Sequence, residues 1–418
     1  MDRNALLSPY RVLDLTDEKG LLCGRILADL GADVIKIEKV GGDRARDIGP
    51  FLNDDIDRGK SLFWYFYNLN KRGITLNIES ADGREIFKEL VKRSHFVIES
   101  FEPGYLDTMG IGYEQLENIN SGIIVTSITA FGQTGRYSKY KATDIVGMAM
   151  GGIMHLTGDI DRAPVRISFP QAYQHAGAEA AAASVIAHYF YQKTGKGQWV
   201  DVSMQECVIA TTLNAIPLWE VDKRLEKRVG TLRAGLSTAE PQLQLWKCKD
   251  GHVSFAVMGH GSASLKSIRA LIKWMEMEDM STEFLSNIDW GNWDISKQNR
   301  ESWNKIEAPI LSFFKNKTKK ELFKKAIKDG ILLMPVMKPT ELRNYEQLNY
   351  RKFWTEVYHP EISAKLIYPG AFCKIIGPEP WKVRRRAPLI GEHNMDIYHN
   401  ELGLSIEEIM ILKQNGII

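Results

Sequence analysis

The segment Asn68-Leu-Asn-Lys-Arg-Gly73 sets two adjacent cations between an aromatic run, Phe63-Trp-Tyr-Phe-Tyr67, and an apolar stretch. On a loop at a sheet edge, Lys71 offers a phosphate a point charge and Arg72 a planar fork. A polar turn accounts for the same residues equally well. Glu38 ends an earlier apolar run, where a ribose-binding acid sits in dinucleotide folds. Such a fold also needs G-x-G-x-x-G, so that backbone approaches the pyrophosphate. The turn in question carries only Gly20 and Gly24, behind Lys19, and the nicotinamide reading fails. No G-x-x-x-x-G-K-[ST], G-x-S-x-G or H-E-x-x-H string occurs, so P-loop, serine-elbow hydrolase and zincin chemistry lack their signals. Cys23, Cys207, Cys248 and Cys373 are far apart with no histidine at ligand spacing, which argues against a zinc site and for a reducing compartment. Asp159 and Asp161 read as surface residues of a Gly-Asp-Ile-Asp-Arg turn, and His175 as a structural residue opening a helix.

The elements that must position these residues alternate. Arg11–Leu15 is an apolar strand, and Leu22, Ile26, Leu27 and Leu30 mark a helix that Gly31 stops. A second strand follows over 32–38, and strand–helix–strand in so short a span calls for a parallel crossover. Strands are expected at 74–78, 95–99, 123–128 and 199–203, with helices over 82–93 and the Ala-rich 170–194. This pattern predicts a doubly wound α/β sheet. Composition shifts after about residue 220, where a charged linker gives way to a Trp- and Lys-rich helical region. In the basic stretch 315–328, Leu322, Phe323 and Ala326 share a face, so a solvated helix is favoured over a polyanion site.

At 418 residues the chain suits two or three domains of roughly 150 residues each. Apolar residues at 44% and charged residues at 25% are an ordinary globular balance. A net charge of +2 leaves no basic surplus for a nucleic-acid binder. No apolar run is long enough for a signal peptide or a membrane span, so a soluble, cytoplasmic protein with no membrane or nucleic-acid partner is expected.

Seven strings resemble class III CoA-transferases, the group of formyl-CoA transferase, carnitine CoA-transferase and α-methylacyl-CoA racemase. They are VLDLT near residue 12, LADLGADVIKIE at 27–38, NLNKRGITLNI at 68–78, FEPGYLDTMGIGYEQL at 101–116, TAFGQTGRY at 129–137, KTGKGQWVDVSM at 193–204 and RRAPLIGEHN at 385–394. They run in family order over nearly the whole chain. The resemblance implies a Rossmann-like large domain over 1–220, a linker over 221–235, a smaller α+β domain over 236–350, and a linker with C-terminal return over 351–418. It also implies an interlocked dimer, each chain threading the other. Lys39, Asn70, Lys71, Arg72, Thr129, Ala130, Phe131 and Arg136 match the side that holds CoA. Coenzyme A or acyl-CoA enters as substrate, with no covalently bound cofactor and no metal.

The family reaction moves CoA from an acyl-CoA to a carboxylate through an aspartate that attacks the thioester. That aspartate stands some way before the Gln of T-G-[RK]-G-Q. Counting back from Gln198, with Pro170 and Gly177 also matching, puts Tyr173 at its position. Neighbouring registers give Ala172 and Gln171, neither a carboxylate. A phenol of ordinary pKa near 10 is mostly protonated at neutral pH and a poor substitute. The racemase branch needs a His–Asp pair where this chain has Thr143-Asp144. The first turn carries Lys19 where family members often have Gln, and the glycine-rich flap is represented by Gly235–Pro241 with one glycine.

The expected function is therefore the non-nucleophilic subunit of a heteromeric CoA-transferase, partnered by a homologous subunit with the aspartate. The resemblance extends to the branch of anaerobic toluene breakdown that uses succinyl-CoA and benzylsuccinate, in which one of two unlike subunits lacks the aspartate. Three alternatives stay open: an active homodimeric transferase with an unrecognised nucleophile, a non-enzymatic acyl-CoA-binding protein, and a CoA-dependent lyase or racemase, which the missing His–Asp pair disfavours.

Overall fold

The computed structural model describes residues 5–212, 214–233, 240–259, 261–370, 373 and 382–418. The chain forms two compact units. One comprises residues up to 153 with 167–212 and 346–418; the other comprises 154–166 and 213–345.

The first unit is built on a six-stranded sheet: β1 (Arg11–Leu15), β2 (Asp33–Glu38), β3 (Arg72–Thr75), β4 (Phe96–Glu99), β5 (Ile124–Thr129) and β6 (Gln198–Ser203). Their order is β3-β2-β1-β4-β5-β6, and every neighbouring pair is parallel. Strands β3, β4 and β5 are buried along their whole length, as a parallel sheet covered on both faces requires. Phe87, Leu90, Leu106 and Leu116 supply apolar cover on one face.

The 170–194 expectation is met by a helix over Gln171–Thr194. Its buried face is small: Ala172, Ala176, Gly177, Ala180, Ala181 and Ser184. That lets it lie close to the helix Leu21–Asp29 that follows β1. Gly177 is the point of closest approach, since a Cβ there would stand 2.9 Å from Leu22 Cβ and 3.2 Å from the Cys23 nitrogen. The same contact sets Tyr173, one turn earlier, over the loop after β1.

The C-terminal return covers the exposed edge of β3, which otherwise presents unpaired backbone. His393 exchanges two hydrogen bonds with Gly73: its own N–H donates to Gly73 O at 2.9 Å, and its Nδ1 accepts from Gly73 N at 3.1 Å. Asn394 Oδ1 accepts from Thr75 N at 3.0 Å, and the Tyr398 hydroxyl donates to Thr75 O at 2.6 Å.

The strand expected at 74–78 lies instead at 72–75. Beyond Thr75 the strand ends: Leu76 N–H still donates to Glu38 O at 2.8 Å, and Ile78 is buried by packing. A helix over Ala215–Asp222 ends two residues into the stretch expected as a linker, and residues 223–229 carry no regular element.

The second unit has its own core around Trp246, Trp303, Phe255 and Phe314, beside a three-stranded antiparallel sheet of Leu245–Cys248, Gly251–Phe255 and Leu333–Pro335. Its helix Lys319–Asp329 turns Leu322 and Ala326 inward and has a capping box of Thr318 and Glu321. The basic stretch is thus a solvated helix face, with Phe323 half-buried.

Candidate functional site

The strand order reverses between β1 and β4, the place where open α/β sheets take ligands beyond their strand ends. A cleft of about 360 Å³ opens there. The loop after β1 lines it with Asp17, Glu18 and Lys19; Ser100 to Pro103 follow β4; Thr129 and Ala130 end β5. Arg44, Lys139 and Lys141 bring three exposed cations to the rim.

The floor is held by a local network. Ser100 donates to Asp17 Oδ1 at 2.7 Å, and Asp17 also takes the ammonium of Lys19. The adjacent charges of Asp17 and Lys19 therefore cancel. Glu18 has neither arrangement: among the described residues its carboxyl faces no ion-pair partner, and burial together with neighbouring Asp17 pushes its pKa up. Thr129 is 3% exposed, yet its hydroxyl has no hydrogen-bond partner among the described residues. A buried polar group without a partner costs about 1–3 kcal/mol, which a ligand at this cleft would relieve.

A second, nearly filled cleft adjoins the first. It is lined by Glu18, Leu22, Phe63, Tyr67, Tyr173 and Gln174. Tyr173 sits in the first turn of the long helix, and its backbone N–H donates to Asp144 Oδ1 at 3.3 Å. The phenol is half-buried, and burial followed by the nearby carboxylate of Glu18 raises its pKa above the ordinary value. Gln174 donates to the Tyr67 hydroxyl, closing the aromatic side. Gln171 is half-buried in the same turn, and Ala172 is fully buried against the sheet-side helices. No carboxylate occupies the start of this helix.

Of the residues expected to hold CoA, the structure brings only Thr129 and Ala130 to the cleft wall. Three others are engaged within the protein. Lys71 is fully buried, and its ammonium donates to Asp14 Oδ2 at 2.8 Å, Asn68 Oδ1 at 2.9 Å and Leu21 O at 3.0 Å, which uses all three protons. Arg72 is spent on Asp33 and Glu401. Asn70 bonds the Asp29 carboxylate, the Lys382 carbonyl and the backbone N–H groups of Arg384 and Arg385. These side chains fix the sheet and the C-terminal return.

Lys39 is exposed and pairs with Glu79 at 2.8 Å, outside the cleft wall. Phe131 packs near the Tyr137 ring, and Arg136 is exposed on the following loop; neither lines the cleft. Residues 235–239 of the expected flap lie outside the described residues. Sequence reasoning missed Arg44, Glu18, Lys139 and Lys141. The string Ser-Lys-Tyr-Lys141 shortly after β5 carried the signal for the last two.

Among the described residues no group of His, Cys, Asp and Glu is placed to hold a metal ion. No helix among them is long and apolar enough to cross a membrane.

Comparison with known proteins agrees with this geometry. The sequence profile of CoA-transferase family III matches residues 7–394. The chain is 33% identical, over 93% of each chain, to the succinyl-CoA:(R)-benzylsuccinate CoA-transferase subunit BbsE of Thauera aromatica. It is 31% identical, over 99% of each chain, to the formyl-CoA:oxalate CoA-transferase of Streptomyces coelicolor. Among solved structures, a CAIB/BAIF family protein from Brucella suis superposes with a TM-score of 0.79 at 26% identity, over 95% of this chain and 99% of that one. With the doubly wound sheet, the switch-point cleft and a profile match over nearly its whole length, the chain belongs to CoA-transferase family III.

Proposed function

We propose that this chain is the non-nucleophilic subunit of a heteromeric CoA-transferase, interlocked with a homologous subunit that carries the aspartate. The observation that supports this is Tyr173. It occupies the first turn of the helix where the family resemblance calls for the aspartate, its phenol is held further from ionisation by burial and Glu18, and Gln171 and Ala172 offer no carboxylate in its place.

In the partner, the aspartate attacks the thioester carbonyl and expels CoA as thiolate, leaving an acyl–aspartyl anhydride. The thiolate then attacks the aspartyl carbonyl and releases the donor acid. The acceptor carboxylate attacks the resulting aspartyl-CoA thioester, and a last thiolate transfer frees the new acyl-CoA and the aspartate. Electrons and protons balance without a redox partner.

Likeness to the Thauera subunit supports succinyl-CoA as donor and benzylsuccinate as acceptor. The exposed Arg44, Lys139 and Lys141, with the Thr129 hydroxyl, are the groups of this chain suited to CoA phosphates and amides. Buried, unpaired thiols at Cys23, Cys207 and Cys248 favour a reducing, cytoplasmic setting.

The test is CoA exchange by this chain alone and co-expressed with a homologous subunit bearing the aspartate. Exchange only in the mixed complex, retained with Tyr173→Phe, supports the reading. Exchange by the chain alone overturns it.

A further inference from the structure

Glu18 is the one residue that lines both clefts, the switch-point cleft and the small one closed by Tyr173. An acyl-CoA that lays its phosphates on Arg44, Lys139 and Lys141 and reaches toward Tyr173 must bring its acyl group past this carboxyl. The two charges beside it are already spent, Asp17 on Ser100 and Lys19, and Lys19 on Asp17. Lys19 attracts Glu18 through space, but its ammonium is ion-paired with Asp17, and among the described residues Glu18 has no ion pair of its own.

We propose that Glu18 determines which ligand this chain's own cleft admits: its unpaired carboxylate turns away acyl-CoA esters whose acyl group carries a second carboxylate, while free CoA and neutral acyl esters enter. The inference rests on the reading of the cleft as a CoA site. Two like charges about 12 Å apart in a medium of effective dielectric near 20 repel by enough for roughly a tenfold loss of affinity, and closer approach costs more. Of the groups that face Glu18, Lys19 alone offsets this, and only in part, because its ammonium is held by Asp17. Asp17 and Asp43 add negative charge, Lys19 is paired, and Tyr67 and Tyr173 are neutral phenols. Such discrimination suits a subunit that leaves the chemistry to its partner, because the donor thioester is then directed to the aspartate-bearing site. Burial raises the pKa of Glu18, so the barrier weakens as pH falls and the carboxyl takes up a proton.

The experiment is calorimetric titration of the full chain with free CoA, acetyl-CoA and succinyl-CoA, comparing wild type with Glu18→Gln and Glu18→Asp. The expected result is that wild type binds acetyl-CoA about tenfold more tightly than succinyl-CoA at about pH 8, that the ratio shrinks as the pH is lowered, and that Glu18→Gln removes both the ratio and its pH dependence. Glu18→Asp retains part of the ratio, and thermal midpoints of the variants show that they fold. An unchanged ratio in Glu18→Gln, no discrimination in wild type, or no binding of any of the three ligands overturns the proposal. Failure of the subunit reading is seen separately, as exchange by this chain without a partner. Loss of exchange in a Glu18→Gln chain assayed alone identifies Glu18 as a nucleophile and overturns both.

Discussion

The ammonium of Lys71 stands 2.8 Å from the Asp14 carboxylate, and neither side chain reaches solvent. Gly24 makes room for the pair, since a Cβ at that position would fall 2.2 Å from Asp14 Oδ2. Lys71 therefore ties β3 to β1, the two strands flanking β2, and holds Asp14 in its ionised form against the cost of burial.

Replacing Lys71 by Met leaves the buried Asp14 with only the more distant ammonium of Lys36, 3.9 Å from its Oδ1. The expected loss is about 3–5 kcal/mol of stability, read by urea unfolding, with CoA affinity of the folded fraction unchanged. Asp14→Asn in the same chain recovers part of it. A fall in CoA affinity with stability intact restores Lys71 as a ligand-binding residue.

Asn70 has a left-handed backbone, with φ of 67°, and its side chain joins Asp29 to the backbone at 382–385. Asn70→Ala strands buried groups at both ends, for a cost of roughly 2–3 kcal/mol. Limited proteolysis is expected to cut near 382–394 several-fold faster than in wild type. Equal cleavage rates contradict the pinning role.

The Glu99 carboxyl at the end of β4 is pushed up to about 7 by burial, in spite of hydrogen bonds from Ser127 and the Phe101 N–H. Its folded-state value lies above the unfolded one, so the folded protein binds the proton more tightly, and stability falls as pH rises from about 4.5 to about 7. Glu99→Gln is expected to raise the thermal midpoint at about pH 8, for a gain on the order of 2 kcal/mol, and to change little at about pH 5. A midpoint shift of equal size at both pH values contradicts this.

The partnerless hydroxyl of Thr129 predicts that Thr129→Val weakens CoA binding by about 3- to 10-fold without loss of stability. Unaltered CoA affinity removes Thr129 from the binding surface.

Much of the first unit was legible in sequence because its strands are continuous apolar runs and its long helix is Ala-rich; β1 and the helix Gln171–Thr194 fall within a residue of expectation. Strand β3 was expected two residues late because Leu76 and Ile78 are as apolar as ladder residues, and Leu76 N–H still bonds Glu38 O although the strand itself ends at Thr75. The loop cations misled for a related reason. Adjacent Lys71 and Arg72 look available, and their partners Asp14 and Asp33 come from other strands. Glu18 went unnoticed because its role depends on Tyr173, which the chain brings to it only after the close helix contact at Gly177. The position of Tyr173 itself was readable from spacing alone, since Pro170, Gly177 and Gln198 fix the register.

The central claim is that this chain supplies no nucleophile, and covalent trapping tests it most directly. The mixed complex is incubated with acyl-CoA, quenched with hydroxylamine and mapped by peptide mass. A single hydroxamate on the partner's aspartate, with every carboxylate of this chain unmodified, is the predicted result. A hydroxamate on Glu18, or on any other residue of this chain, contradicts the account.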